Sequence, residues 1–144
     1  MVDYDEQDDE QEIRIAGVLG SDEVPEVNDK TLMAYLAYLR NNLSFPCFLT
    51  GIEGFDWEER YVFGHGGKAE YERLKRSQPS YTDSFELLGF DEEIDQGYGI
   101  LANVKRVTDK KSFTLPLADL KDRDEHSANY QLLDDYSVWF VNNR

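Results

Sequence analysis

The side chains in this sequence with the clearest chemical potential are carboxylates. They are densest in FDEEIDQGYG, Phe90 to Gly99, where Asp91, Glu92, Glu93 and Asp95 crowd one short connection between two strand-like runs. Carboxylates held this close repel one another unless a positive charge sits among them. Calcium suits such a group, because it takes roughly six to eight oxygen ligands. Asp91, Glu93 and Asp95 have the one-three-five spacing that opens an EF-hand loop. The rest of that motif is missing. Glycine comes at the seventh position, Gly97, and the twelfth is Ala102, which offers no bidentate carboxylate. A complete EF-hand is excluded, and an ion here must take oxygens from elsewhere in the fold or keep water.

Two other stretches offer those oxygens. Asp119, Asp122, Asp124 and Glu125 form a second acidic connection, and Asp134 and Asp135 lie in the C-terminal segment. Neighbouring residues on a helix point about 100° apart, so only one of that pair can face a given ligand. Asp135 precedes the aromatic run that must pack, which places it nearer the sheet. The candidate metal ligands are therefore Asp91, Glu93, Asp95, Asp122, Asp124 and Asp135. Their competing reading is a solvated acidic surface.

Composition narrows the choice. The chain has 144 residues, 40% hydrophobic, which suits one domain with one core. Thirty acidic residues against 15 basic give a formal net charge of -15. That excludes nucleic acid as the expected ligand, since phosphate binding needs Lys and Arg. It fits a cation, a basic protein partner, or solubility alone. The single cysteine, Cys47, allows no disulfide within the chain and no thiolate zinc site. Between Pro46 and Phe48 it reads as a small buried hydrophobe. His65 and His126 have no evident relation to Cys47 or to an orienting acid, so no enzyme is expected. GHGGK, Gly64 to Lys68, lacks the first glycine and the Ser/Thr of a phosphate loop and reads as a turn. The N-terminus is acidic, unlike a secretory signal, and no apolar run approaches membrane-spanning length. The expectation is a soluble, cytoplasmic protein that does not bind membranes.

The elements that must position these carboxylates follow from spacing. Residues 1–12 hold seven acidic residues and no basic one, which predicts a disordered acidic tail ahead of a single domain at 13–144. Ile13 to Leu19 reads as a short strand or docking turn. Asn28 or Asp29 can cap a helix whose Leu32, Leu36, Leu39 and Leu43 share one face. Pro46 forbids its continuation. Phe45 to Phe55 and Tyr61 to Phe63 read as strands, and Lys68 to Gln78 as a short helix stopped by Pro79. Strands follow at Ser84 to Phe90, Tyr98 to Val107 and Ser112 to Leu117, and a last helix begins near Ala128. Short strands joined by tight polar turns cannot form a parallel sheet. The expected class is α+β, a small antiparallel partial β-barrel with an N-terminal helix, a short inserted helix and a C-terminal helix.

Three pieces together carry a family resemblance. They are the aromatic-rich helix leading into FPC, the acidic turn feeding a long strand and then FTLPLADL, and the closing helix with DDYSVWFVN. Over about Thr31 to Asn142 the chain resembles the small acidic calcium-binding proteins of the cyanobacterial type related to heterocyst differentiation, and their bacterial relatives. It departs from them by an insertion, roughly Trp57 to Tyr81. The resemblance implies an SH3-like barrel and calcium (Ca2+) binding without an EF-hand, as a buffer or sensor. The second reading is an SH3-like module without metal that holds a protein partner, with Trp57, Tyr61 and Tyr81 as candidate contacts.

Overall fold

A reciprocal cap starts the helix that the leucine spacing predicts. The Asn28 side chain accepts the Thr31 N–H at 2.9 Å, and the Thr31 hydroxyl accepts the Asn28 N–H at 2.9 Å. The helix, α2, spans Asp29–Asn42 and buries Leu32, Tyr35, Leu36 and Leu39. The C-terminal helix, α5, spans Ala128–Asn142 and is capped by Ser127, whose hydroxyl accepts the Tyr130 N–H. Its Leu133, Tyr136, Trp139 and Phe140 face the core. Tyr35 joins the two helices, stacking on Trp139 at 4.9 Å and meeting Tyr136 edge-on at 5.3 Å.

The computed structural model describes the backbone of residues 4–144 and the side chains from Asp9 onward. The described residues form five α-helices and five strands, an α+β fold. The strands are β1 (Phe48–Gly51), β2 (Phe85–Phe90), β3 (Leu101–Arg106), β4 (Ser112–Pro116) and β5 (Leu120–Asp122). They make one antiparallel sheet in the order β4-β3-β2-β1-β5. One face carries Leu49, Phe85, Leu87, Ala102 and Val104 into the core.

The connection between the two edge strands shapes this sheet. β4 and β5 are joined by a single 3-10 turn, Leu117–Asp119. Five flat strands would set the edges about 19 Å apart at roughly 4.8 Å per interval. Three linking residues reach at most about 14 Å. The sheet must therefore curl strongly, and its edges approach one another at Asp119.

Several expectations change. The segment expected to be a disordered tail is helical from Tyr4, in α1 (Tyr4–Val18); residues 1–3 lie outside the described residues. Two physical terms outweigh the charge repulsion. Acidic residues fall in the first turns, where the helix dipole favours them. The last turns bury Ile15 and Ala16. The same packing makes Ile13 to Leu19 helical rather than a strand. Tyr61 to Phe63 is no strand either, since Glu59–Val62 is a helical turn, α3. The inserted helix, α4, is Lys68–Leu74. The fifth strand, β5, lies inside the connection read as polar coil.

The segment between β1 and β2 is fixed by two buried polar side chains. Glu58 is wholly buried and accepts four hydrogen bonds, from the Phe55 and Tyr81 N–H groups and the Tyr71 and Ser80 hydroxyls. Arg106, on the core side of β3, donates to the carbonyls of Lys75, Arg76 and Gln78 and pairs with Asp83 and Asp109. A buried charge is tolerated only when its hydrogen-bonding capacity is met, and both groups satisfy that condition.

Candidate functional site

The acidic turn between β2 and β3 is built by Asp95. Its Oδ1 accepts the N–H groups of Gly97 at 2.8 Å and Tyr98 at 2.9 Å, and its backbone pairs with Gly99 in both directions. Gly99 has φ +74, and a Cβ there would lie 2.6 Å from both the Tyr136 hydroxyl and the Phe140 ring. Only glycine permits this turn to seat on α5. Asp91 is half-buried at the end of β2, where its N–H donates to the Leu101 carbonyl, and Glu93 is exposed. One oxygen of Asp95 is already engaged in shaping the turn.

The other predicted ligands are dispersed. Asp122 is buried in β5, where Oδ1 accepts the Asp124 N–H at 2.7 Å and Oδ2 lies 3.7 Å from the Cys47 sulfur. Burial pushes the Cys47 thiol up to about 12, and the Asp122 carboxylate adds to the shift. Cys47 is thus the buried residue expected, and its thiol stays protonated. Asp124 is exposed and accepts the His126 N–H. Asp135, only 4% exposed, is clamped by Arg14 at 2.9 and 3.1 Å and by Gln11 at 2.9 Å. Its partners are those of a structural ion pair. The structure does not bring Asp91, Glu93, Asp95, Asp122, Asp124 and Asp135 together. Among the described residues, no group of three or more His, Cys, Asp or Glu side chains is placed to hold a metal ion as it stands.

A different set of carboxylates shares one surface. The loop after β1 contributes Glu53 and Asp56, α3 contributes Glu59, the 3-10 turn contributes Asp119, and α5 contributes Asp134. They line a cavity of about 390 Å³ with Ile52, Val141 and Asn142. Asp119 is solvent-exposed, yet its carboxyl is pushed up from the usual aspartate value. Packing that strips water from it is the first cause, and the charges of Asp56 and Glu53 are the next, with Arg144 opposing them. Ser137, 6% exposed, also lines this cavity, and its hydroxyl has no hydrogen-bond partner. Buried hydroxyls are ordinarily satisfied.

Asp56 and Asp119 also line a second cleft, of about 370 Å³, which they share with Asp95. The curled sheet thus brings the Phe90–Gly99 turn to the same end of the molecule as the 3-10 turn and the loop after β1. Asp119 was visible in the sequence as part of the second acidic connection. Glu53, Asp56 and Glu59 were not singled out as candidate ligands from the sequence. Nothing local marks them, because the curl that brings them together is a property of the whole sheet.

No family model and no curated protein matches this sequence. Two solved structures share its fold. One is Anabaena CcbP, at a TM-score of 0.58 and 16% sequence identity, covering 99% of this chain and 94% of that one. The other is a calcium binding protein in the calcium-binding form, at a TM-score of 0.58 and 17% identity, covering 97% of this chain and 96% of that one. The likeness runs nearly end to end in both, so the resemblance carried by the three sequence pieces holds for the fold of the whole chain.

Proposed function

We propose that this protein binds calcium without an EF-hand, through the carboxylates that meet where the curled, SH3-like sheet closes. It is a binding protein rather than an enzyme, serving as a cytoplasmic buffer or sensor. The observation that carries the reading is the cavity that Glu53, Asp56, Glu59, Asp119 and Asp134 line together; the Asp119 carboxyl in it is raised first by loss of water and then by the charges of Asp56 and Glu53. A cation relieves that repulsion directly. The donor set is all oxygen, which suits calcium or magnesium over zinc or copper. Calcium tolerates irregular coordination and retained water, so modest movements of exposed side chains suffice to surround it. The two structural likenesses support the same reading.

Isothermal calorimetry tests it. Calcium titrated into the protein in about 150 mM salt, where surface attraction is largely screened, gives saturable heat that magnesium does not reproduce. Asp119→Asn and Asp56→Asn each weaken calcium binding about tenfold, or roughly 1.4 kcal/mol. Equal heats for both cations, or unchanged affinity in both variants, overturn the assignment.

A further inference from the structure

The second cleft has walls that a metal site does not need. Trp57 and Pro116 flank it, Tyr98 stands beside them 51% exposed, and Asp56, Asp95 and Asp119 sit among these apolar faces. Among the described residues, none of these three carboxylates takes part in an ion pair, whereas Asp83, Glu86, Asp109 and Asp135 all do. Arg144 donates instead to the Gly97 carbonyl and lies over the Phe140 ring.

We propose that this cleft receives an arginine side chain from a short apolar segment of a basic protein partner. The inference goes beyond calcium binding and rests on the shape and charge of the cleft alone. An arginine stem is aliphatic enough to lie along Pro116, and its planar guanidinium stacks on aromatic faces such as Trp57 and Tyr98. The same group pairs with carboxylates in a fixed fork geometry. A net charge of -15 draws a basic partner toward this surface. Trp57 is the member of the expected aromatic trio that lines the cleft; its ring also packs against Tyr61 and Tyr71, and its indole N–H donates to the Pro79 carbonyl. Tyr61 instead stacks on Tyr71 at 5.1 Å, and Tyr81 lies against Gly51. Tyr98, not singled out from the sequence, takes their place.

The test is an amide and indole NMR titration in EDTA, so that its outcome is independent of calcium. The probe is a pool of capped heptapeptides with arginine at the centre and Ala, Val, Leu or Pro elsewhere. The control pool carries citrulline, which keeps the shape and loses the charge. At about 150 mM salt, the arginine pool shifts the Trp57 indole and the Tyr98 and Thr114 amides saturably, about tenfold more tightly than the citrulline pool. Tyr98→Ala and Asp56→Asn, both at exposed positions, each weaken the effect about fivefold, and Glu92→Gln outside the cleft leaves it unchanged. No shift at these residues, shifts scattered over the acidic surface, or equal binding of the two pools overturns the proposal.

Discussion

Asp119 and Asp135 are the same side chain in opposite environments. Asp135 is buried beside a guanidinium, and Arg14 is held above its ordinary value chiefly by their hydrogen bond. Asp119 meets two other acids. The fold therefore resists charge at Asp119. The sign at Asp119 follows from linkage: a carboxyl raised in the folded state binds its proton more tightly there than in the unfolded chain. Its contribution to stability falls as pH rises from the ordinary aspartate value, about 4, through the raised one. Without calcium, Asp119→Asn should therefore raise the melting temperature at neutral pH and flatten its slope in that window, as thermal melts across pH will show. Asp135→Asn should instead lower stability, by about 1–3 kcal/mol through weakened hydrogen bonds to Arg14 and Gln11, while leaving calcium affinity intact; denaturant unfolding beside calorimetry separates the two. Asp135 is the buried member of its pair, but it faces α1, and Asp134 is the one that lines the acidic cavity. The sequence could not show the partner, Arg14, which lies 121 residues away in a stretch read as a short strand or docking turn.

The segment between β1 and β2 is held by side chains of neighbouring elements rather than by its own helix. Arg106 is 3% exposed, and its three carbonyl partners end the chain stretch that follows α4. Replacing it by methionine keeps the stem and removes the side-chain donor of the Lys75 and Gln78 carbonyls, while the Arg76 carbonyl keeps Lys111 and Asp83 keeps the Ser80 N–H. Arg106→Met should cost about 3–5 kcal/mol. Amide exchange should quicken at residues 75–83 while α2 and α5 stay protected; uniform loss of protection would show that the insertion is part of the main cooperative unit. Arg106 also holds Asp109 down at about 2. A depressed carboxyl stabilises above its unfolded value and loses that contribution as pH falls toward 2, so the variant should shed part of its acid sensitivity in that window. The alternation of β3 already pointed position 106 inward with Ile100, Ala102 and Val104, and an arginine in that register was the one sign of an anchor. The fifth strand left no such sign. LKD is three residues long and mostly polar, and it is a strand because β1 supplies its partner, Leu49 against Asp122 and Gly51 against Leu120.

At the scale of the molecule, closure gathers three acidic connections at one end of a chain that already carries a charge of -15. Helix caps, leucine spacing and strand alternation were local and could be read in advance. The meeting of Glu53, Asp56, Asp95 and Asp119 depends on β4 and β5 being neighbours in sequence and opposite edges of the sheet, which no window of residues encodes. Such an arrangement stores repulsion in the native state, and any cation should relieve part of it by screening. A specific site adds a second contribution that follows mass action, worth about 2.7 kcal/mol at a hundredfold excess over the dissociation constant. Melts in calcium, magnesium and sodium chloride at matched ionic strength divide the two. Sodium should give a small rise, magnesium little more, and calcium a further rise that grows with the logarithm of its concentration. Asp119→Asn should remove the calcium-specific rise and keep the rise common to all three salts. If the three salts stabilise the wild type equally, the carboxylates at the closure act only as a charged surface, and the calcium reading fails at the scale where it was formed.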